Sequence, residues 1–322
     1  MSNFLHEHDS FKDLLEITAR NKKIKDPYLV EKDYWIMHCL WGLQQLEFQF
    51  HLKGGTSLSK GFQCIHRFSE DIDIKIEPDA RCGFAVSSGN NHDKPAQIDS
   101  RKKYFDWLQS ELNGKIHGLT DVVRDTQFDD ADYRSGGIRL HYKSHFQNAV
   151  GLKEGVLLEV GFDRTAPNEK KDISSWALDE ALSKGVSVTQ NAANGVHCYE
   201  PKFTFVEKLQ AVVKKFRQYK QGAKGSASLP ANFIRHYYDL YQLIQRSDVQ
   251  SFIGTNEYEQ FKKERFKSDD TKVSNSDALK LSDPDDLKIF ESEYHRSEGL
   301  YYFGRPTLKE IITRFAKDLD RL

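Results

Sequence analysis

Cysteine is scarce in this chain: four among 322 residues (Cys39, Cys64, Cys82, Cys198), with no CxxC pair. That spacing offers neither a disulfide framework nor a zinc site, and it suits a reducing, cytoplasmic compartment. Long apolar runs are missing as well. No stretch approaches the roughly eighteen apolar residues that span a bilayer, so no membrane is expected. The start, MSNFLHEHDSFKDLLEITAR, lacks a basic segment followed by an apolar one, and no signal peptide is expected. Internal repeats and low-complexity tracts are absent. Charge of one sign is also lacking: the net charge is −1, so any nucleic-acid contact must come from a local patch. What is present is core material, 38% hydrophobic and 12% aromatic, in a length that admits one large domain or two ordinary ones.

KDPYLVEKDYWIMHCLWGLQQL is predicted to be a helix capped by Asp26, with Pro27 at its first position and a core stripe of Val30, Tyr34, Met37, Leu40 and Trp41. EFQFHLKGG alternates Phe48, Phe50 and Leu52 and reads as a strand ending at Gly54. TSLSKGFQCI then starts a helix, and EDIDIKI is a second strand with Ile72, Ile74 and Ile76 facing the core. Residues 77–100 read as a long polar loop. RKKYFDWLQSELNGK returns to helix, and GGIRLHYKSH and GVLLEVGFDR read as two paired strands. After about Pro201 the pattern becomes helical: PKFTFVEKLQAVVKKFRQYKQ, the flexible GAKGSASLP, ANFIRHYYDLYQLIQRS, and two or three helices more. The expected organisation is an α/β domain over 1–200, a mixed sheet flanked by helices, followed by a helical domain over 201–322.

The chemistry sits in HLKGGTSLSKGFQCIHRFSEDIDIKI, residues 51–76. Alternate residues of a strand share a face, so Asp71 and Asp73 point together while Ile72 and Ile74 point inward. Two repelling carboxylates so placed suit one or two hard divalent cations, of the kind that stabilise both the attacking and the leaving oxygen in phosphoryl or nucleotidyl transfer. The pair Gly54 and Gly55 lets a phosphate approach the backbone, where Thr56, Ser57 and the first helical N–H groups can bond its oxygens. A DxD alone is common on solvated strands. Preceded by strand, Gly-Gly-Thr and helix, it points to a site.

KGGTSLSKGF with RFSEDIDI resembles the signature of AbiEii-type nucleotidyltransferases, abortive-infection and type IV toxin–antitoxin proteins of the DNA polymerase beta superfamily. VEKDYWI, FVEKLQAVVKKFR and RHYYDLYQL extend the resemblance, in order, over roughly residues 26–245. It implies a polymerase-beta-like fold in the first domain, with the Lys and late Asp motifs in the second. Gly54, Gly55 and Thr56 would hold the triphosphate, Asp71 and Asp73 the metal (Mg²⁺, or Mn²⁺ in its place), and Lys208 would neutralise the triphosphate. Asp239 would be the last catalytic acid. Many members read Arg-Asp at the start of that last motif, where this chain has Arg235-His236, and His236 is not given the acid's role. The superfamily often adds a third carboxylate on a neighbouring strand. Glu159 in GVLLEVGF is the candidate for it, an edge-strand glutamate in solvent being the alternative. Arg67 and Ser69 would order the loop or touch phosphate, and Lys53 and Lys60 are candidates of the same kind.

The implied activity is transfer of a nucleoside monophosphate from an NTP, with the 3′ end of tRNA as acceptor, translation and growth as its targets, and a cognate antitoxin as partner. Alternatives are a protein or small-molecule acceptor, or a non-catalytic NTP- or RNA-binding regulator. The basic helix over 202–224, with Lys202, Lys208, Lys214, Lys215, Arg217, Lys220 and Lys224, reads as an RNA track or a solvated face. His141 and His145 form an HxxxH read as strand, which would put them about 13 Å apart, too far for one metal. The histidines of MSNFLHEH, near an expected frayed end, carry no role.

Overall fold

The structure, a computed structural model, describes residues 3–89, 93–147, 152–222, 229, 233–267 and 270–322. Most of the stretch read as a flexible connection, Lys224 included, lies outside these. The chain divides into two compact units. One comprises Met1–Gln63 and Phe68–Tyr199, the other Cys64–Arg67 and Glu200–Leu322.

In the first unit, α1 (Phe11–Lys22) and α2 (Pro27–Gln45) lead into β1 (Phe50–Lys53). Asp26 caps α2 by accepting the Tyr28 N–H at 3.0 Å. Burial of α2 goes nearly all round, polar positions included, the mark of a helix enclosed by its own domain. A short helix α3 (Gly54–Thr56) continues as a π-wound turn, Ser57–Gly61, and β2 (Asp71–Ile76) follows. The remaining elements are α4 (Pro95–Leu112), β3 (Leu119–Arg124), β4 (Ser135–Tyr142), β5 (Val156–Gly161), β6 (Asn168–Ile173), α5 (Trp176–Ser183) and β7 (Ala193–Tyr199). The strands form one mixed sheet in the order β3-β4-β5-β2-β1-β7-β6, with β2 antiparallel to β1 and parallel to β5. Alternation seats Ile72, Ile74 and Ile76 in the core at 0% exposure and leaves Asp71, Asp73 and Lys75 half-buried on the other face.

Several sequence expectations shift. The loop read over 77–100 is shorter, because α4 begins at Pro95, whose fixed φ suits a first helical position. The helix expected over TSLSKGFQCI stops at Gly61. The strand read through His145 ends at Tyr142, and the His145 N–H instead donates to Glu31 at 2.8 Å. The N-terminal segment is not frayed from residue 3 on: His6 Nδ1 lies 2.8 Å from the Tyr34 hydroxyl, and its Nε2 lies 3.0 Å from Nδ1 of His117.

The second unit is helical: α6 (Pro201–Gln221), α7 (Arg235–Leu243), α8 (Ser247–Phe252), α9 (Asn256–Arg265), α10 (Pro284–Arg296) and α11 (Leu308–Ala316). Its core joins Phe216, Phe233, Tyr237 and Phe290, whose rings meet edge to face. Among the described residues no helix is long and apolar enough to cross a membrane.

Candidate active site

Pairing builds the acidic face of the first unit. Along one row of the sheet Lys53 on β1 stands opposite Asp73 on β2, Asp73 opposite Glu159 on β5, and Glu159 opposite Gly137 on β4. Direct partners share a face, so one cation and two carboxylates lie side by side with no side chain beyond them. Asp71 sits two residues along, on the same face of β2. The crowding has an electrostatic signature. Burial first, and then the Asp73 and Asp71 carboxylates, push the Glu159 carboxyl well above the usual range, while Lys53 pulls the other way.

Gly54 borders this face. Its φ of +67° lies in the left-handed region, and an added Cβ would stand 2.0 Å from Oδ2 of Asp73. The glycine is needed twice over, for the turn and for the carboxylate lying against it. Thr56 and Ser57 do not direct their hydroxyls outward. The first donates to the Asp71 carbonyl at 2.5 Å and the second to the Tyr199 carbonyl at 3.3 Å, both within this unit. What Gly55 and Thr56 offer a phosphate is therefore the backbone N–H groups of the helix start. Ser69 is half-buried two residues before β2. Lys60 is engaged with Asp33 at 2.9 Å.

In the second unit, Asp239 is 0% exposed on α7 and receives three bonds of 2.7 Å: Arg67 Nε to Oδ1, Arg67 Nη2 to Oδ2, and Lys208 Nζ to Oδ2. Burial alone would raise this carboxyl, but the Arg67 and Lys208 charges outweigh it and hold it well below the usual range. Asp239 thus stays ionised and orients Lys208, and a carboxylate so held is a weak proton acceptor. Arg67 is correspondingly directed at Asp239. His236 stands beside the Lys208 and Lys215 charges; burial first and those charges next keep it neutral, and its enclosed Nδ1 has no hydrogen-bond partner among the described residues.

The basic helix is largely matched within its own unit. Lys202 pairs with Glu200, Arg217 with Asp270 and Lys220 with Asp286 at 3.3, 3.0 and 2.8 Å. Lys214 is exposed, and Lys215 lies 5.9 Å from the Phe233 ring centroid. Pairing of this kind weakens the positive field that a nucleic acid would meet.

Among the described residues no group of three or more His, Cys, Asp or Glu side chains is arranged to hold a metal ion. Two carboxylates on one face nevertheless fit Mg²⁺, which is bound through one or two carboxylates with substrate phosphates and waters completing its shell. The crowding of Asp71, Asp73 and Glu159, which drives Glu159 towards its neutral form, is the second sign of fit.

A family model described as nucleotidyl transferase AbiEii toxin, type IV TA system, matches residues 35–321. The chain belongs to this family. No curated protein matches it. AbiEii membership carries nucleotidyltransferase toxin activity in general, and a type IV system implies a cognate antitoxin. Within the AbiEii match, sequence reasoning did not foresee Lys53 as the cation of the acidic row. The signal was there: Lys53 immediately precedes Gly54 and, two residues from His51, shares its face of β1.

Proposed function

We propose that the protein is a Mg²⁺-dependent nucleotidyltransferase that moves a nucleoside monophosphate from an NTP to the 3′ end of tRNA, blocking translation and growth until its cognate antitoxin neutralises it. The observation that carries the reading is the row Lys53–Asp73–Glu159, with Asp71 on the same face and Gly54 against Asp73.

In this reading Asp71 and Asp73 hold the divalent cation, with Mn²⁺ able to replace Mg²⁺. The bound cation would supply charge stabilisation at the α-phosphate as the bond to the leaving pyrophosphate lengthens. The backbone at Gly54–Ser57 cradles phosphate oxygens, and Lys208, oriented by Asp239, neutralises the triphosphate. The acceptor hydroxyl oxygen forms a bond to the α-phosphorus while the α–β bridging bond breaks and pyrophosphate departs. With a cation on Asp71 and Asp73 the repulsion that helps keep Glu159 protonated would be offset, and the ionised Glu159 carboxylate would take the hydroxyl proton. Asp239 is the positioning acid rather than the base. Arg67 supports it, and Ser69, Lys214 and Lys215 are the candidates to meet RNA phosphate, with Arg217 able to do so only by giving up Asp270.

The test is transfer of label from each α-labelled NTP, with Mg²⁺ and total tRNA, by the native protein and by an Asp71→Ala/Asp73→Ala variant. Labelled tRNA with the native protein alone supports the proposal. Label on a protein band moves the acceptor and keeps the chemistry. Nucleotide binding with no label anywhere replaces catalysis by a binding role.

A further inference from the structure

The segment VEKDYWI has no part in the chemistry above, yet it holds three consecutive charged residues at 0, 1 and 3% exposure: Glu31, Lys32 and Asp33. Charged side chains are almost never so buried unless paired. Each has a different partner within the first unit. Glu31 accepts the Ser144 hydroxyl at 2.5 Å and the His145 N–H at 2.8 Å. Lys32 donates to the Lys153 carbonyl at 2.5 Å. Asp33 accepts the Trp176 N–H at 2.8 Å, and the Lys60 ammonium reaches both its oxygens, at 2.9 and 3.1 Å. The same ammonium lies 4.7 Å from the Trp176 ring centroid.

Lys60 matters because of where it sits. It lies on the π-wound turn Ser57–Gly61 that runs on without a break from the Gly54–Thr56 helix. Such turns occur often at functional sites. A buried ion pair seldom stabilises a fold more than apolar packing would, so its retention here calls for a geometric reason. The Lys60 side chain ties that turn to α2 and to the start of α5, beside the bonds that Thr56 and Ser57 make to Asp71 and Tyr199.

We infer that Asp33 is a positioning residue for nucleotide transfer: through Lys60 it sets the phosphate-holding turn against the Asp71–Asp73 face. The inference rests on the proposed function. It differs from direct phosphate binding by Lys60 in what it requires of Asp33, whose removal would free Lys60 for phosphate in the one case and unpin the turn in the other.

The experiment measures Mg²⁺-NTP affinity by calorimetry without acceptor, then KM and kcat for transfer, in the native protein and in Asp33→Asn, Lys60→Met and Lys60→Arg. Thermal midpoints are recorded for each. A misplaced binding group costs between about tenfold and a hundredfold. Asp33→Asn and Lys60→Met should each weaken NTP binding and raise KM by that factor, non-additively when combined, with kcat changing less. Lys60→Arg should restore both to within a few-fold. Unchanged or tighter binding in Asp33→Asn overturns the inference, as does a KM that tracks the midpoint alone across all three variants. If the native protein binds no nucleotide, both this inference and the proposed function fall. If it binds and transfers while Lys60→Met does so equally well, this inference alone falls.

Discussion

Gly54→Ala tests the site at its tightest point. The residue has a φ of +67°, and the new methyl would lie 2.0 Å from Asp73 Oδ2 and 2.9 Å from its Cγ. A left-handed conformation costs a non-glycine residue about 1–2 kcal/mol. Forcing a methyl into filled space adds about 1–3 kcal/mol. The variant should therefore lose about 2–5 kcal/mol in urea unfolding, unless the carboxylate swings away. If it swings, the loss is smaller and the face that holds the cation is spoiled, so transfer should fall at least about a hundredfold. Gly83→Ala is the control: its φ is +77°, with nothing within 4 Å of the added Cβ. It should show the backbone cost alone, with transfer intact. A Gly54→Ala protein with native Mg²⁺-NTP affinity and native transfer would refute the placement of Asp73 against this turn.

Three further outcomes are expected. Glu159→Gln should separate stability from activity. The folded carboxyl holds its proton well above the unfolded value, so the native protein loses stability as pH rises past about 4.5. The variant should then be more stable than native at pH 8 by about 1 kcal/mol or more, while transfer is lost. A variant less stable at that pH would refute the crowding argument. Asp239→Asn leaves Arg67 and Lys208 without their shared anion and should cost about 3–5 kcal/mol in urea unfolding. The deficit should be full at neutral pH and shrink as pH falls below about 4, where the unfolded acid protonates. A deficit independent of pH would argue against an ionised Asp239. Burial, followed by the neighbouring histidine charges, lowers His6 to about 3, and burial lowers His38 to about 4. Both are neutral when folded and take up protons when unfolded, so stability should fall as pH drops below about 6.5. The slope would approach about 1.4 kcal/mol per pH unit for each. Unfolding midpoints flat between pH 7 and 5 would contradict this.

Some of this architecture was legible in the residues, and the limit has a physical cause. The alternation of Ile72, Ile74 and Ile76, and of Val156, Leu158 and Val160, marks the core faces of two strands, and it places Asp71, Asp73 and Glu159 on the other face, where Leu157 is buried as well. Strand β6, Asn168–Ile173, carries almost no apolar residue, since edge strands bury little, so no pattern announces it. Strand β7 opens on Ala193-Asn194-Gly195, which reads as a turn until β6 and β1 flank it. The Arg67–Asp239 pair spans 172 residues, and the acids matching Arg217 and Lys220 come from Asp270 and Asp286. Such pairings depend on tertiary folding, which local spacing does not encode.

The chain contributes to its helical unit twice, once as the short passage Cys64–Arg67 and again from Glu200 onward. A fragment ending at Tyr199 would carry Arg67 away from Asp239, and one beginning at Glu200 would keep Asp239 with Lys208 alone. A single proteolytic nick or gene split between the units therefore yields no two self-sufficient halves. Expression of residues 1–199 by themselves should give a protein in which Arg67 has lost the carboxylate it pairs with.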